Sequence, residues 1–371
     1  MENGEIISRK HILNIMKKKI NDLYDQKKLS CGSSETIRKA PSFNFDLFYQ
    51  YGHVDHVPRI DESFLEWFIG FFEGDGYLGV TKPRTYKRTR GGQTTIETVC
   101  ERLLFQVAQK ERRIIDHIAS VFGFGHVSAC TTKGQTTYYW KLNSKEAIER
   151  MAFLLYGHLI LESRQKQFSQ WIEQGKKKNM FQSAVFDKGI EWSATIGFNN
   201  AWLSGFIDAE GRFYAHLRLS PWIKKSVSQL PRLKKHWTEE HHHLFQTMEG
   251  GCGLSQKMTL TQIATPQTSK VFEEIRVAFK GNSPYFFQNS TAKKSTNHTY
   301  VRIECHSLES QTLIIDYLSV YPLKTLKHIS FCKWKKIYFR RQEGVHLSPK
   351  GIQRLVRLVK SINDHDKSSY L

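Results

Sequence analysis

The chain contains Trp67-Phe68-Ile69-Gly70-Phe71-Phe72-Glu73-Gly74-Asp75-Gly76 and, 135 residues further on, Trp202-Leu203-Ser204-Gly205-Phe206-Ile207-Asp208-Ala209-Glu210-Gly211. Both stretches read W-x-x-G-F-x-acid-small-acid-G. From average composition, the core G-x-x-acid-small-acid-G starts at a given position with a probability on the order of 10⁻⁵. Two copies in one chain therefore mark a tandem duplication.

Working outward, Gln106-Val107-Ala108 answers Gln262-Ile263-Ala264 at an offset of 156, and Tyr139-Trp140-Lys141-Leu142 answers Tyr300-Val301-Arg302-Ile303 at 161. On that alignment the second copy carries about twenty extra residues, placed between Trp222 and Gly253. Each copy reads in the same order. An apolar helix ends at the acidic motif, and an alternating strand follows (Tyr77 to Val80, or Arg212 to Leu219). A basic, turn-rich segment leads to a second strand, Leu103 to Ala108 or Met258 to Ala264. A helix, a hairpin and further helices come next, with Ser144 and Ser307 as N-caps. Ser348-Pro349-Lys350 opens one more helix, with Pro at its first turn. The expected division is an N-terminal extension over 1–58, a first repeat over 59–174, a linker over 175–196, a second repeat over 197–342, and a C-terminal helix and tail over 343–371.

Composition bounds the function. Fifty-five Lys and Arg against 35 Asp and Glu leave a net charge of +20 in 371 residues, far more than solubility needs, so a polyanionic partner is the default reading. The six cysteines contain no C-x-x-C pair, which speaks against a zinc site or a dense disulfide framework and for a reducing interior. No apolar run approaches a membrane span, and Glu2 and Glu5 do not suit a transit peptide. A soluble protein acting where it is made is the expectation.

Gly70 and Gly74 lie four apart on one helix face and admit a close backbone, as Gly205 and Ala209 do in the second copy. Two such helices side by side would bring Asp75 and Glu210 together at their C-terminal ends. Carboxylates there oppose the helix dipole and repel each other, so a hard divalent cation with oxygen ligands is the natural relief. Next to a phosphodiester such a cation activates water and stabilises the leaving oxygen. Glu73 and Asp208, two residues before the outer acids, read as capping or structural groups.

The paired motif resembles the LAGLIDADG homing endonuclease family in its single-chain, two-repeat form, over residues from about 60 to about 340. The resemblance implies an α/β fold of two tandem αββαββα repeats with pseudo-two-fold symmetry, whose β-saddles lie in the DNA major groove. It implies that Asp75 and Glu210 are the catalytic, metal-binding acids, with Gly74 and Ala209 beside them at the metal, and Mg²⁺ as cofactor. It points to Gln109 as a residue that orders water, with Thr265 in that place in the second copy. It also implies a basic residue near the start of each late helix, here Lys166 (with Arg164 as rival) and Lys327. For DNA, Lys82, Arg84, Lys87, Arg88 and Arg90 crowd the first basic segment around Gly91-Gly92. Lys224, Lys225, Arg232, Lys234 and Lys235 occupy the second copy's insertion, where His241-His242-His243 suits a loop or phosphate contact better than a metal.

The expected activity is metal-dependent hydrolysis of both strands of a long, asymmetric double-stranded DNA target by a monomer, encoded in an intron or an organellar reading frame. Two rivals use the same surface: an RNA-binding maturase that assists splicing, and a DNA-binding regulator on a degenerate copy of the fold. The maturase does not need the carboxylates, and the regulator would have lost an acid or a glycine. Both acids and both glycines are present.

Overall fold

A computed structural model of the chain describes residues 43–363 except 91–92, 100, 195, 220–251, 289–297 and 344–348. The described chain divides into two compact units, 43–209 and 210–363. The first motif forms helix α1, Glu62–Asp75, whose N-cap Asp61 accepts from the Ser63 amide at 2.8 Å. Every residue from Trp67 to Glu73 is buried, as expected for a helix that is apolar on all sides.

After α1 the first unit builds an antiparallel sheet from β1 (Gly76–Val80), β4 (Leu103–Gln109), β5 (His126–Thr132) and β6 (Gln135–Leu142), in the order β1-β4-β6-β5. Inserted after β1, β2 (Arg84–Arg90) and β3 (Gln93–Val99) form a separate hairpin of seven paired residues. Helices α2 (Arg112–Phe122), α3 (Lys145–Leu155) and α4 (Glu162–Lys176) complete the unit. Alternation sorts the sheet's faces. Phe105, Val107, Trp140 and Leu142 are fully buried, with Phe122 stacked on Trp140 at 5.2 Å and Phe72 on Phe105 at 5.0 Å. Tyr77, on the other face, is exposed. Ser144 caps α3 as expected, accepting from Ala147 N–H at 3.2 Å.

The expected extension and linker are not bare. Phe48 is fully buried, and Arg150 of α3 donates to the carbonyls of Gly52 and His53 at 3.2 and 2.6 Å. In the linker, Phe181 and Phe186 are buried, and Phe181 lies 5.3 Å from Trp171 of α4. The linker's polar composition hid these two aromatic anchors.

The second motif forms α5, Trp202–Glu210, and its residues through Ala209 fall within the first unit. A methyl group built on Gly70 would overlap the Trp202 carbonyl oxygen, and one on Gly205 would overlap that of Trp67. The two helices thus touch backbone to backbone at the paired glycines, as their spacing predicts.

The second unit repeats the sheet with β7 (Arg212–Leu219), β8 (Cys252–Ile263), β9 (Tyr285–Gln288) and β10 (Thr299–Cys305) in the order β7-β8-β10-β9. Its helices are α6 (Pro266–Phe279), α7 (Leu308–Val320), α8 (Lys327–Gln342) and α9 (Pro349–Ser361). Phe213 packs between Phe331 and Trp334 of α8, at 5.6 and 5.5 Å. Each unit is therefore α/β, with helices on one sheet face. The chain is two tandem repeats; the first ends in the helix pair α3–α4, and the second in the pair α7–α8 with α9 after it, where the simplest pattern has one helix. Among the described residues no helix is long and apolar enough to cross a membrane.

Candidate active site

Asp75 is the last residue of α1 and Glu210 the last of α5, each followed by a glycine that starts or precedes the first strand of its sheet. Both acids are half-buried. The Gln109 side chain, at the end of β4, donates from Nε2 to Asp75. In the second unit Gln262 of β8 donates from Nε2 to Glu210 at 3.3 Å. Each glutamine's Oε1 accepts from the next backbone N–H, Lys110 at 3.3 Å and Ile263 at 2.9 Å. That bond fixes the amide's orientation and turns the NH₂ toward the acid.

This corrects the expectation that Thr265 stands in the second copy where Gln109 stands in the first. The strand registers pair Gly76 with Val107 and Arg212 with Thr259. Val107 therefore matches Leu260, and Gln109 matches Gln262, at an offset of 153 rather than 156. An odd slip exchanges the faces of a strand, and the sequence alignment would have set buried Val107 on Ile263, which is 42% exposed. Thr265 instead caps α6, accepting from Thr268 N–H at 3.0 Å. The glutamines are thus the same in both halves.

The late helices need a similar adjustment. Phe168 and Trp171 of α4 match Phe331 and Trp334 of α8, both 163 residues apart and all four buried. In that frame Lys327, the first residue of α8, answers Arg164 and not Lys166. Arg164 donates to the carbonyls of Glu73 at 2.8 Å and Gly74 at 2.9 Å. It sets a cation against the negative end of α1, which offsets part of the cost of placing Asp75 there. Lys166 is 69% exposed and pairs with Glu162 at 2.6 Å.

Glu73 and Asp208 are buried structural acids. Glu73 accepts from the amides of Ile160 and Leu161 at 2.7 and 2.6 Å, capping the entry to α4, and from the Trp202 indole at 2.6 Å. Asp208 accepts from the Trp67 indole at 2.9 Å. Each motif tryptophan therefore reaches across to the inner acid of the other helix. Burial pushes the Glu73 carboxyl up to about 7 against the pull of its N–H donors. With these bonds directed inward, neither acid is placed to hold a cation.

For polyanion contact, Lys82 is exposed and precedes β2, which carries Arg84, Lys87, Arg88 and Arg90. Lys224, Lys225, Arg232, Lys234, Lys235 and the three histidines at 241–243 lie outside the described residues. The second unit supplies a row that the sequence reading missed: Arg212, Tyr214, His216 and Arg218 alternate along β7 and face away from the side that Phe213 buries. Their period of two was the available signal.

A family model described as LAGLIDADG endonuclease matches residues 68–174 and 203–338. The chain is 24% identical over 312 residues to the probable intron-encoded endonuclease 4 of Neurospora crassa, covering 83% of this chain and 46% of the relative. It thus spans about half the length of that protein. It is 19% identical over 327 residues to an uncharacterized cox1 intron-2 37.2 kDa protein of Schizosaccharomyces pombe, covering 88% of this chain and 80% of the relative. Among solved structures it is similar in fold to the I-SmaMI LAGLIDADG homing endonuclease bound to cleaved DNA, with TM-score 0.54, 15% identity, and coverage of 84% and 99% of the two chains. The I-LtrWI LAGLIDADG homing endonuclease bound to target DNA gives TM-score 0.51 and 15% identity, with 81% and 98% covered. The family model's two matches fall on the two halves that the acidic motifs mark, and the chain belongs to the LAGLIDADG endonuclease family.

Proposed function

We propose that the chain is a site-specific endonuclease that hydrolyses both strands of a long, asymmetric DNA duplex as a monomer. The observation that carries this is the duplicated acid–glutamine pair. Asp75 with Gln109 and Glu210 with Gln262 are built alike in two halves whose surrounding strands differ in sequence. Two equivalent acids suit two scissile phosphates, and unlike strands suit unlike half-sites. The relatives' names support an origin in an intron, and an organellar reading frame is part of this proposal. I-SmaMI, similar in fold, is described bound to its uncleaved DNA target in the presence of calcium ions.

The residues fit a hard divalent cation. Asp75 and Glu210 each offer carboxylate oxygens, and Gly74 and Ala209 offer carbonyls. Hard oxygen donors of this kind, carboxylate and carbonyl, suit Mg²⁺. Such an ion, when bound, supplies charge for the developing phosphorane and a more acidic water. Gln109 and Gln262 orient their acids, and Arg164 sets positive charge at the end of α1.

The test is a selection from a randomised duplex library, followed by incubation of the recovered sites with Mg²⁺. The expected result is double-strand cleavage at a non-palindromic site with one chain per duplex in sedimentation. A palindromic site bound by two chains, or recovered sites left uncut, overturns the reading.

Two further outcomes belong here. Gln262→Ala should slow cleavage as much as Gln109→Ala does, by roughly 10- to 100-fold, the worth of a hydrogen bond to a charged group. A slower rate on Thr265→Ala with no change on Gln262→Ala would restore the other register. Replacing Lys82, Arg84, Lys87, Arg88 and Arg90 by Gln should flatten the salt dependence of DNA binding by about 0.9 for each phosphate no longer neutralised. An unchanged slope would place that hairpin away from DNA.

A further inference from the structure

One carboxylate stands among the strands of the second unit: β7–β10 hold no Asp and no Glu except Glu304. Side chains directly opposed across an antiparallel pair share a face. Arg212 opposes Thr259, which opposes Glu304 on β10, so the acid lies on the basic face that begins at Arg212. Arg302, two residues earlier, opposes Thr261 of β8 and Tyr285 of β9 on that same face. These groups form one run of bonds. Lys257 donates to both Glu304 oxygens at 2.8 Å. The Tyr285 hydroxyl donates to Glu304 at 3.1 Å and accepts from Arg302 Nη1 at 3.2 Å. Arg302 Nε donates to Thr261 Oγ1 at 2.8 Å, and its guanidinium lies 4.5 Å from the centre of the Phe287 ring. Phe287 in turn stacks on Tyr300.

We propose that Arg302 reads a guanine in the half-site that the second unit covers, and that Glu304 is the positioning residue that aims it. This assignment rests on the duplex-DNA reading above. A carboxylate on such a face weakens its attraction for phosphate, so the acid needs a use that offsets the loss. Burial pushes the Glu304 carboxyl up, and the Lys257 and Tyr285 bonds more than reverse that. Glu304 is therefore ionised and can only accept. The single Tyr285 hydroxyl hydrogen is committed to it, which turns an oxygen lone pair toward Arg302. With Nε and Nη1 anchored and a ring beneath, the guanidinium is fixed before a ligand arrives. Nη2 and the second Nη1 hydrogen remain for guanine O6 and N7. A phosphate contact needs no such aim, and β10 is an inner strand, so Arg302 stands on the floor of the sheet and not at its rim. The first unit lacks the device. There Tyr139 matches Arg302, Lys141 matches Glu304, and Ala108 matches Thr261, and Lys141 lies 4.6 Å from the Tyr139 ring centre. The two floors thus suit different bases.

The test compares the full chain with Arg302→Lys, Glu304→Gln and Tyr285→Phe. The wild type first recovers its site from a randomised duplex library. Competition binding without divalent cation then ranks every single-base variant of that site, with an unrelated duplex as reference. Arg302→Lys keeps the charge and loses the fork. It should erase a guanine preference of roughly 5- to 150-fold at one base pair, with the other positions and the unrelated duplex unchanged. Glu304→Gln should cut the preference at that same base pair on the order of tenfold. It should also tighten binding of the unrelated duplex about two- to fivefold and steepen its salt slope, because Lys257 is released to phosphate. A merely structural acid would not move the two readouts in opposite directions. Tyr285→Phe keeps the ring and every charge, so loss at the same base pair without tightening ties the aim to the hydroxyl and guards against a misfolded Glu304→Gln. Arg302→Lys that leaves every base preference intact, or weakens all sequences alike, overturns the proposal. So does Glu304→Gln that loses unrelated duplex together with the site while Tyr285→Phe behaves as wild type. A recovered site left uncut in Mg²⁺ would fail the endonuclease reading alone, since base readout needs no hydrolysis. A wild type that recovers no preferred sequence overturns both.

Discussion

Asp75→Asn and Glu210→Gln should each abolish or gravely slow cleavage in Mg²⁺ while leaving DNA bound. Both changes keep side-chain shape and remove the charge that would hold a cation. Loss of such an ion's contribution is worth several kcal/mol at the transition state, on the order of 10³-fold or more in rate. Gln109 and Gln262 remain as donors to the substituted groups, so the helix ends should stay in place. Affinity should hold or rise, because a negative charge that repelled phosphate is gone. Single-turnover cleavage with gel-shift binding on the same samples separates the two effects. A single mutant that nicks one strand cleanly would show that each acid serves its own strand. Wild-type rates in both would reduce Asp75 and Glu210 to helix-end acids and end the endonuclease reading.

The largest stability effect is expected at the paired glycines. Gly70→Ala and Gly205→Ala each force a methyl onto a carbonyl oxygen of the facing helix. Backbone cannot swing aside as a side chain can, so the cost should reach the upper end of overpacking, about 3 kcal/mol. For the compact unit of residues 43–209, which holds both helices through Ala209, that lowers Tm by roughly 6–12 °C. The two changes act on one seam and should not add. A thermal scan in which Gly205→Ala melts with the wild type would mean that α1 and α5 do not approach at these residues.

Much of this was legible in the sequence because the motif constrains several levels at once. Trp67 and Trp202, the glycines, and the inner and outer acids each have a separate physical job at a fixed helical spacing. Ser144 and Ser307 were readable as caps for the same reason, since a hydroxyl before a helical period has one strong use. The strand register was not legible. Gln106-Val107-Ala108 and Gln262-Ile263-Ala264 look alike as letters, but a pleated strand is defined by which residues face the core, and three residues of slip exchange the faces. The packed linker was hidden because two buried rings, Phe181 and Phe186, sit in an otherwise polar run. Lys166 stood out by charge alone, whereas Arg164's role depends on where the end of α1 lies in space.

The crossed tryptophans also bear on how such a chain can be taken apart. Trp67 bonds Asp208, Trp202 bonds Glu73, and α5 through Ala209 belongs to the compact unit of residues 43–209. A cut in the linker would not separate two self-sufficient modules, since it would strip α1 of the partner that fills its glycine face. Hybrids assembled from the halves of different relatives should therefore be joined after Ala209, or carry matched tryptophans and inner acids across the junction. The same dependence means that two fragments split at the linker would retain a built-in means of finding each other.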